Sequence, residues 1–137
     1  MIEIPAQIHA DLVAHAFREV PNEACGLLAG SNGRVERFYP VRNADQSPTT
    51  YSFDDREHQD ALDELDRHGW EVVGVFHSHT HTQAYPSKTD LEKSVGPRRF
   101  YPNARFFILS LANRKQPDLR AFLIDDDRVG EQEVKVL

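Results

Sequence analysis

Two histidines one residue apart, His77 and His79, stand at the exit of the apolar run Val72-Val73-Gly74-Val75-Phe76, and Asp90 follows eleven positions after the second. Strand side chains alternate faces, so the two imidazoles point to one side. Asp90 can return to them if the chain turns into a short helix. Two imidazoles and one carboxylate form the ligand set of a catalytic zinc site, with the fourth position left to water. The pattern is that of a metallohydrolase. Such an enzyme also needs a base. The metal lowers the pKa of its water to about 7, and a nearby carboxylate takes the proton and passes it to the leaving group. Glu23 is best placed by position, in Pro21-Asn22-Glu23-Ala24 between a first helix and a buried strand; on spacing alone Glu19, Glu57, Glu64 and Glu71 stay open.

Each of these residues has a plainer reading. Ser87-Lys88-Thr89-Asp90 matches a capping box at a helix start. Ser87 can cap and still lie beside a metal, whereas a ligating Asp90 would have less capacity for the cap. His81 extends the histidine alternation to three and fits a polar loop that happens to be histidine-rich. Cys25 could act as a thiol nucleophile with His77 or His79 as its base, but in an apolar strand cysteine behaves as a small hydrophobe. Asp125-Asp126-Asp127 could suggest calcium, yet reads better as a solvated hairpin turn. Lys88, Lys93, Arg98 and Arg99 make a locally basic stretch, either an ordinary exposed face or a contact for an acidic partner.

The elements that must position these groups follow from the pattern. Ile8, Leu12, Ala16, Phe17 and Val20 recur at helical spacing, so residues 7–20 read as an amphipathic helix ended by Pro21. Residues 24–30 read as a buried strand, Ser31-Asn32-Gly33 as a turn, and 34–41 as the hairpin partner. Residues 43–50 read as loop and 50–53 as a short strand. The segment from Asn43 to Phe53 is thus a candidate edge for an extended peptide, with its covering loop. Asp54, Asp55 and Glu57 crowd the start of a second helix, with Arg67 and His68 near its end and Gly69 as the stop. Residues 70–76 follow as a central strand and 87–95 as one short helix closed by Gly96-Pro97. Three strands over 105–112, 119–124 and 128–136 complete an α+β fold, a mixed sheet flanked by helices.

Composition narrows the class. At 137 residues, with 28% charged and 39% hydrophobic, the chain reads as a single domain with a proper core. The formal charge of −6 argues against nucleic acid as the main partner. No apolar run approaches a membrane span, and the first residues lack the layout of a secretory signal. One cysteine excludes an internal disulfide and makes the cytoplasm the expected home.

Taken together, Glu23, His77-x-His79, Ser87 and Asp90 match the signature of the JAMM (MPN-plus) metalloproteases. Glu23-Ala24-Cys25-Gly26-Leu27-Leu28 and Val73-Gly74-Val75-Phe76-His77 also resemble that family's strands. The resemblance implies a curved mixed sheet of the JAMM/MPN, cytidine-deaminase-like kind, and hydrolysis of peptide or isopeptide bonds after the Gly-Gly tail of a ubiquitin-like protein. It implies zinc on His77, His79 and Asp90, Glu23 as the general acid/base and Ser87 as an oxyanion stabiliser. Thr80 stands where many members carry proline, which alters the loop but removes no ligand. Members that have lost the ligands serve as scaffolds; here all five positions are filled. A small regulatory zinc module would give Glu23 and Ser87 no role. Asn22-Glu23-Ala24-Cys25-Gly26, Asn43-Ala44-Asp45-Gln46-Ser47-Pro48-Thr49, His77-Ser78-His79-Thr80 and Ala84-Tyr85-Pro86-Ser87 resemble compact bacterial members that free cysteine from a ubiquitin-like sulfur carrier. The rival activities are release of a carrier from lysine side chains and trimming of a carrier's C-terminal extension.

Overall fold

The computed structural model describes residues 1–126 and 128–137. The amphipathic stretch after Pro5 is helix α1 (Ala6–Glu19), which buries Ile8, Leu12 and Ala16 while Phe17 stays exposed at its margin. Helix α2 (Asp55–Arg67) is built by the charge order noted above. The Asp54 carboxylate accepts the Glu57 N–H, Asp55 and Glu57 fill the first turn, and Arg67 lies in the last. Gly69, at φ 70°, then takes the left-handed conformation that ends it.

Between and after these helices run β1 (Ile2–Ile4), β2 (Cys25–Ser31), β3 (Arg34–Val41), β4 (Glu71–His79), β5 (Arg105–Ser110), β6 (Asp118–Asp125), β7 (Arg128–Gln132) and β8 (Val134–Val136). They form one mixed sheet in the order β7-β6-β5-β4-β2-β3-β1-β8. β4 sits at its centre, antiparallel to β2 and parallel to β5. The outermost strands, β7 and β8, are separated only by Glu133, so the sheet curls until its edges nearly meet. This is the curved α+β architecture expected from the sequence.

Both faces of the central strands are covered, which is why they read as unbroken apolar runs. On one face Leu28, Phe76, Phe107 and Leu109 pack with α1. On the other, Leu27, Val75, Phe106 and Ile108 pack with Ala61 and Leu65 of α2. Gly74 leaves the space into which the Phe107 ring packs.

Three expectations are corrected and one strand is added. Residues 50–53 form no strand; Phe53 makes only an isolated bridge to Asn43, because the side chains of Asn43 and Ser47 take the backbone donors a ladder would use. The short helix is two, α3 (Lys88–Lys93) and α4 (Val95–Phe100). Gly96-Pro97 lies in the first turn of α4, where the N–H that proline lacks has no helical partner anyway. The last strand is likewise two, since the chain leaves β6 and joins β1 at Glu133. β1 itself is an addition, a three-residue strand held between β3 and β8. Of the aspartate triplet, Asp125 ends β6 and Asp126 turns; Asp127 lies outside the described residues. Among the described residues no helix is long and apolar enough to cross a membrane.

Candidate metal centre

β4 runs three residues further than its apolar segment, so His77 and His79 are part of the strand rather than of the loop after it. They share the face that carries Val75. Both are almost fully buried, at 1% and 4% exposure, and Asp90 at 9% joins them from α3. The Nε2 atoms of the histidines lie 3.1 Å apart, and Asp90 Oδ2 lies 3.2 Å from His77 Nε2 and 3.0 Å from His79 Nε2. Three donor atoms around one tetrahedral ion, bonded at about 2.0–2.1 Å, would stand about 3.3 Å apart. The observed triangle is close to that face.

The tautomer also fits. His79 Nδ1 donates to the Gln83 carbonyl at 2.7 Å, which leaves the Nε2 lone pair directed at its neighbours. His77 Nδ1 has no hydrogen-bond partner among the described residues, and its Nε2 is the atom that faces the cluster. With both imidazoles neutral and unprotonated at Nε2, as a bound cation would require, two lone pairs and a carboxylate oxygen would converge on one point. Burial depresses the His77 pKa despite its bond to Asp90. At His79 burial acts in the same sense, but the bonds to Asp90 and Gln83 outweigh it and the net shift is upward. For Asp90, burial opposes ionisation and the two histidine bonds overcome it, so the carboxyl is held well below the usual range.

Ser87 is the cap of α3. Its Oγ accepts the Asp90 N–H at 3.0 Å, and its own N–H donates to Asp90 Oδ2 at 2.9 Å. The expected competition between cap and cluster does not arise, because a carboxylate offers about four acceptor positions and Oδ2 serves both.

Glu23 arrives from the other side. Ser78 N–H donates to the Ala24 carbonyl at 3.0 Å, and Ala24 N–H donates to Ser78 Oγ at 2.8 Å, extending the β2–β4 register by one residue beyond Cys25 opposite His77. Continued by one more residue, that register would set Glu23 opposite His79, with which it shares a cleft. A cleft of about 600 Å³ brings Glu23, His79, His81 and Ser87 together, and Pro48 and Thr49 form part of its wall. Glu23 is buried, its Oε1 has no hydrogen-bond partner among the described residues, and burial pushes its pKa up to about 8. Glu19 ends α1, and the other three alternatives lie elsewhere. Glu57 accepts the Arg42 N–H, and Glu64 pairs with Arg37. Glu71, paired with Gly30, begins β4 at the end opposite the histidines.

The thiol reading fails. Burial raises the Cys25 pKa, and its Sγ donates to the Val41 carbonyl at 3.3 Å. His81 is exposed at the cleft and outside the donor triangle. Lys93 is engaged with Asp45 and the Tyr51 carbonyl, both at 3.1 Å, while Lys88 and Arg99 are exposed. Two participants were not foreseen. The Tyr51 ring stacks on His77 at 4.5 Å, and Asn43 bonds the Glu23 carbonyl. Asn43 was legible as the start of a segment that resembles the family and as the start of the candidate edge, but not as a partner of Glu23; the Tyr51 contact had no local signal.

Comparison with known proteins agrees with this geometry. The family described as prokaryotic homologs of the JAB domain matches residues 5–125. The CysO-cysteine peptidase of Mycobacterium tuberculosis is 37% identical over 139 aligned residues, covering 100% of this chain and 92% of its own length. A Thermus thermophilus protein named a probable TtuB-protein conjugate cleaving protease is 35% identical over 69% of this chain and 64% of its own. A solution structure of a Desulfitobacterium hafniense protein superposes with a TM-score of 0.88 at 40% identity, covering 100% of this chain and 93% of that one. The chain belongs to the prokaryotic JAB-domain family, the JAMM/MPN proteins.

Proposed function

We propose that this protein is a zinc peptidase that hydrolyses the amide after the C-terminal Gly-Gly of a ubiquitin-like sulfur-carrier protein, releasing cysteine. The observation that carries the reading is a buried carboxyl, Glu23, sharing one open cleft with His79, a member of the donor triangle that His77 and Asp90 complete. The 37% identity to a CysO-cysteine peptidase along the whole chain supports the substrate class. In this reading His77, His79 and Asp90 hold Zn2+. Bound there, the ion supplies Lewis-acid polarisation of a carbonyl and a nucleophile at neutral pH.

The remaining work falls to the chain. Glu23, with no partner on Oε1, can hold a proton and deliver it to the departing amine, the two halves of acid/base catalysis. Burial raises the Glu23 pKa in the metal-free protein, and a bound cation nearby would favour the carboxylate, the form that takes a proton. The Ser87 Oγ lone pair is used by the cap, which leaves its O–H to donate to a developing oxyanion in the cleft. The α3 cap fixes Asp90, and the Gln83 carbonyl fixes the His79 ring, so the donors need no rearrangement. Pro48 and Thr49 line the cleft that a Gly-Gly tail would enter. The Asn43–Phe53 segment serves here as a wall, since its own side chains occupy much of its backbone.

We also place the whole chain in one cytoplasmic domain, with a carrier protein rather than nucleic acid or membrane as its partner. The net charge of −6 and the single cysteine support this. A second reading, cleavage of carrier–protein conjugates, is favoured by the likeness to the Thermus conjugate-cleaving protease. The decisive assay incubates the zinc-loaded protein with a carrier–cysteine adduct, a carrier with a C-terminal extension and an isopeptide conjugate. Preferential turnover of the cysteine adduct is expected. Cleavage of the isopeptide alone would favour the second reading, and no cleavage by the loaded protein would defeat both.

A further inference from the structure

Glu23 is the group whose position matters most to the proposed reaction, yet nothing in the described structure bonds its Oε1. Its placement is therefore set by its main chain. On the sheet side the anchor is Ser78, through the two bonds to Ala24. On the other side the Glu23 N–H donates to the Ser47 carbonyl at 2.9 Å, and the Glu23 carbonyl accepts from Asn43 Nδ2 at 3.0 Å. Both of these contacts belong to the 43–53 loop.

That loop is organised around one side chain. Asn43, buried at 5% exposure, donates through Nδ2 to the carbonyls of Glu23 and Thr50, each at 3.0 Å. Through Oδ1 it accepts the N–H groups of Asp45 at 3.0 Å and Ser52 at 3.2 Å. Two carbonyls need a donor and two amides need an acceptor, and only a primary amide meets all four from one position. Aspartate would turn an oxygen toward two carbonyls. A shorter side chain would leave buried groups unpaired. Ser47, the other contact of Glu23, is held in the same fold: its Oγ accepts the N–H groups of Thr49 and Thr50, and Thr50 is itself an Asn43 partner.

We propose that Asn43 is a positioning residue for the catalytic acid, holding Glu23 opposite His79 by clamping its carbonyl and by shaping the loop that clamps its amide. The inference rests on the assignment of Glu23 as acid/base made above. Asn43 makes no hydrogen bond to His77, His79 or Asp90; besides Glu23 its one link to them is Tyr51, which lies between its partners Thr50 and Ser52 and stacks on His77. A displacement of about 1 Å at a reacting group can cost about a hundredfold in rate. Loss of the clamp should therefore lower kcat and leave KM and metal content near their original values.

The test uses Asn43→Ser, which keeps a polar group and leaves room for water, beside the isosteric Asn43→Asp. Each is made in the wild-type and the Glu23→Gln backgrounds, loaded with zinc, and assayed on the carrier–cysteine adduct. In the wild-type background kcat should fall about a hundredfold with KM changed less than about threefold. In the Glu23→Gln background the same substitution should change kcat by less than about twofold, because its effect has already been removed. Equal losses in both backgrounds would overturn the proposal. An independent arm needs no activity: amide hydrogen exchange in metal-free protein. Exchange at Glu23 should quicken at least about tenfold in Asn43→Ser, while the His77 and His79 amides keep their protection. Unchanged exchange at Glu23 would also overturn the proposal. A wild-type protein that binds zinc but cuts no carrier adduct would instead defeat the functional reading, leaving the exchange result to decide the clamp.

Discussion

In the donor cluster the side chains hold one another: His77 and His79 meet Asp90, Asp90 is tied to the start of α3, and His79 is pinned from behind by Gln83. In the cleft it shares with His79, Glu23 is held through its backbone, and its Oε1 has no partner among the described residues. The difference matches the tasks. Groups that share an ion must keep fixed distances, so bonds to their side chains help. A group that must take and give a proton is hindered by a permanent partner, so its rigidity has to come from the chain on either side. The cost falls on Glu23, whose buried carboxyl is pushed up to about 8.

The comparison breaks most completely at the ligands. Replacing His77 and His79 together with alanine should abolish both zinc binding and turnover. Metal analysis of protein purified without chelator, wild type beside variant, checks this. About one zinc in the wild type and almost none in the variant is the expected result, and equal content would remove the assignment.

On the Glu23 side the expected outcome differs in kind. Glu23→Gln should retain its zinc, since Glu23 lies outside the donor triangle, and lose about a hundred- to ten-thousand-fold in turnover. Full metal with normal turnover would reassign the base. The pair of experiments separates the two regions: one loses metal and rate together, the other rate alone.

Ser87 lies between them, part cap and part cleft wall. Ser87→Ala should lower turnover by no more than the loss of an oxyanion donor elsewhere, about 2.7–4 kcal/mol of barrier. Its removal from the α3 cap should also cost about 1 kcal/mol of stability. Turnover and thermal melting on the same variant read the two effects separately. A melting change with unaltered turnover would leave Ser87 with the cap alone.

How much of this was written in the sequence follows the same division. The histidine pair, its strand and the capping box were legible because they depend on spacing within a few residues. The chain from Cys25 to Val41 was legible as a hairpin for the same reason. The contacts that were missed join distant segments. Tyr51 meets His77 and Asn43 meets Glu23 only after the sheet has formed. β1 escaped because three residues carry too little pattern, and its pairing with β3 and β8 decides it. The break between α3 and α4 at Ser94 was hidden by Gly96-Pro97, whose ordinary meaning is a stop.

The mildest test of the comparison is the pH dependence of folding in metal-free protein. An unfolded chain gives Glu23 its ordinary pKa of 4.5, and burial raises it to about 8 in the folded state. Between those values the folded protein keeps a proton that the unfolded chain releases, so stability from this group is present below about pH 4.5 and lost as pH rises through 8. Glutamine at position 23 cannot titrate and removes that loss. The melting temperature of Glu23→Gln relative to wild type should therefore climb as the pH is raised from about 4.5 to 8 and level off above it. Charge changes at remote groups are common to both proteins and cancel in the difference, while His79, which Glu23 raises, adds a smaller change of its own. A difference that stays flat across this range would mean that Glu23 is solvated in the folded protein. The contrast with the bonded donor cluster would then lose its physical basis.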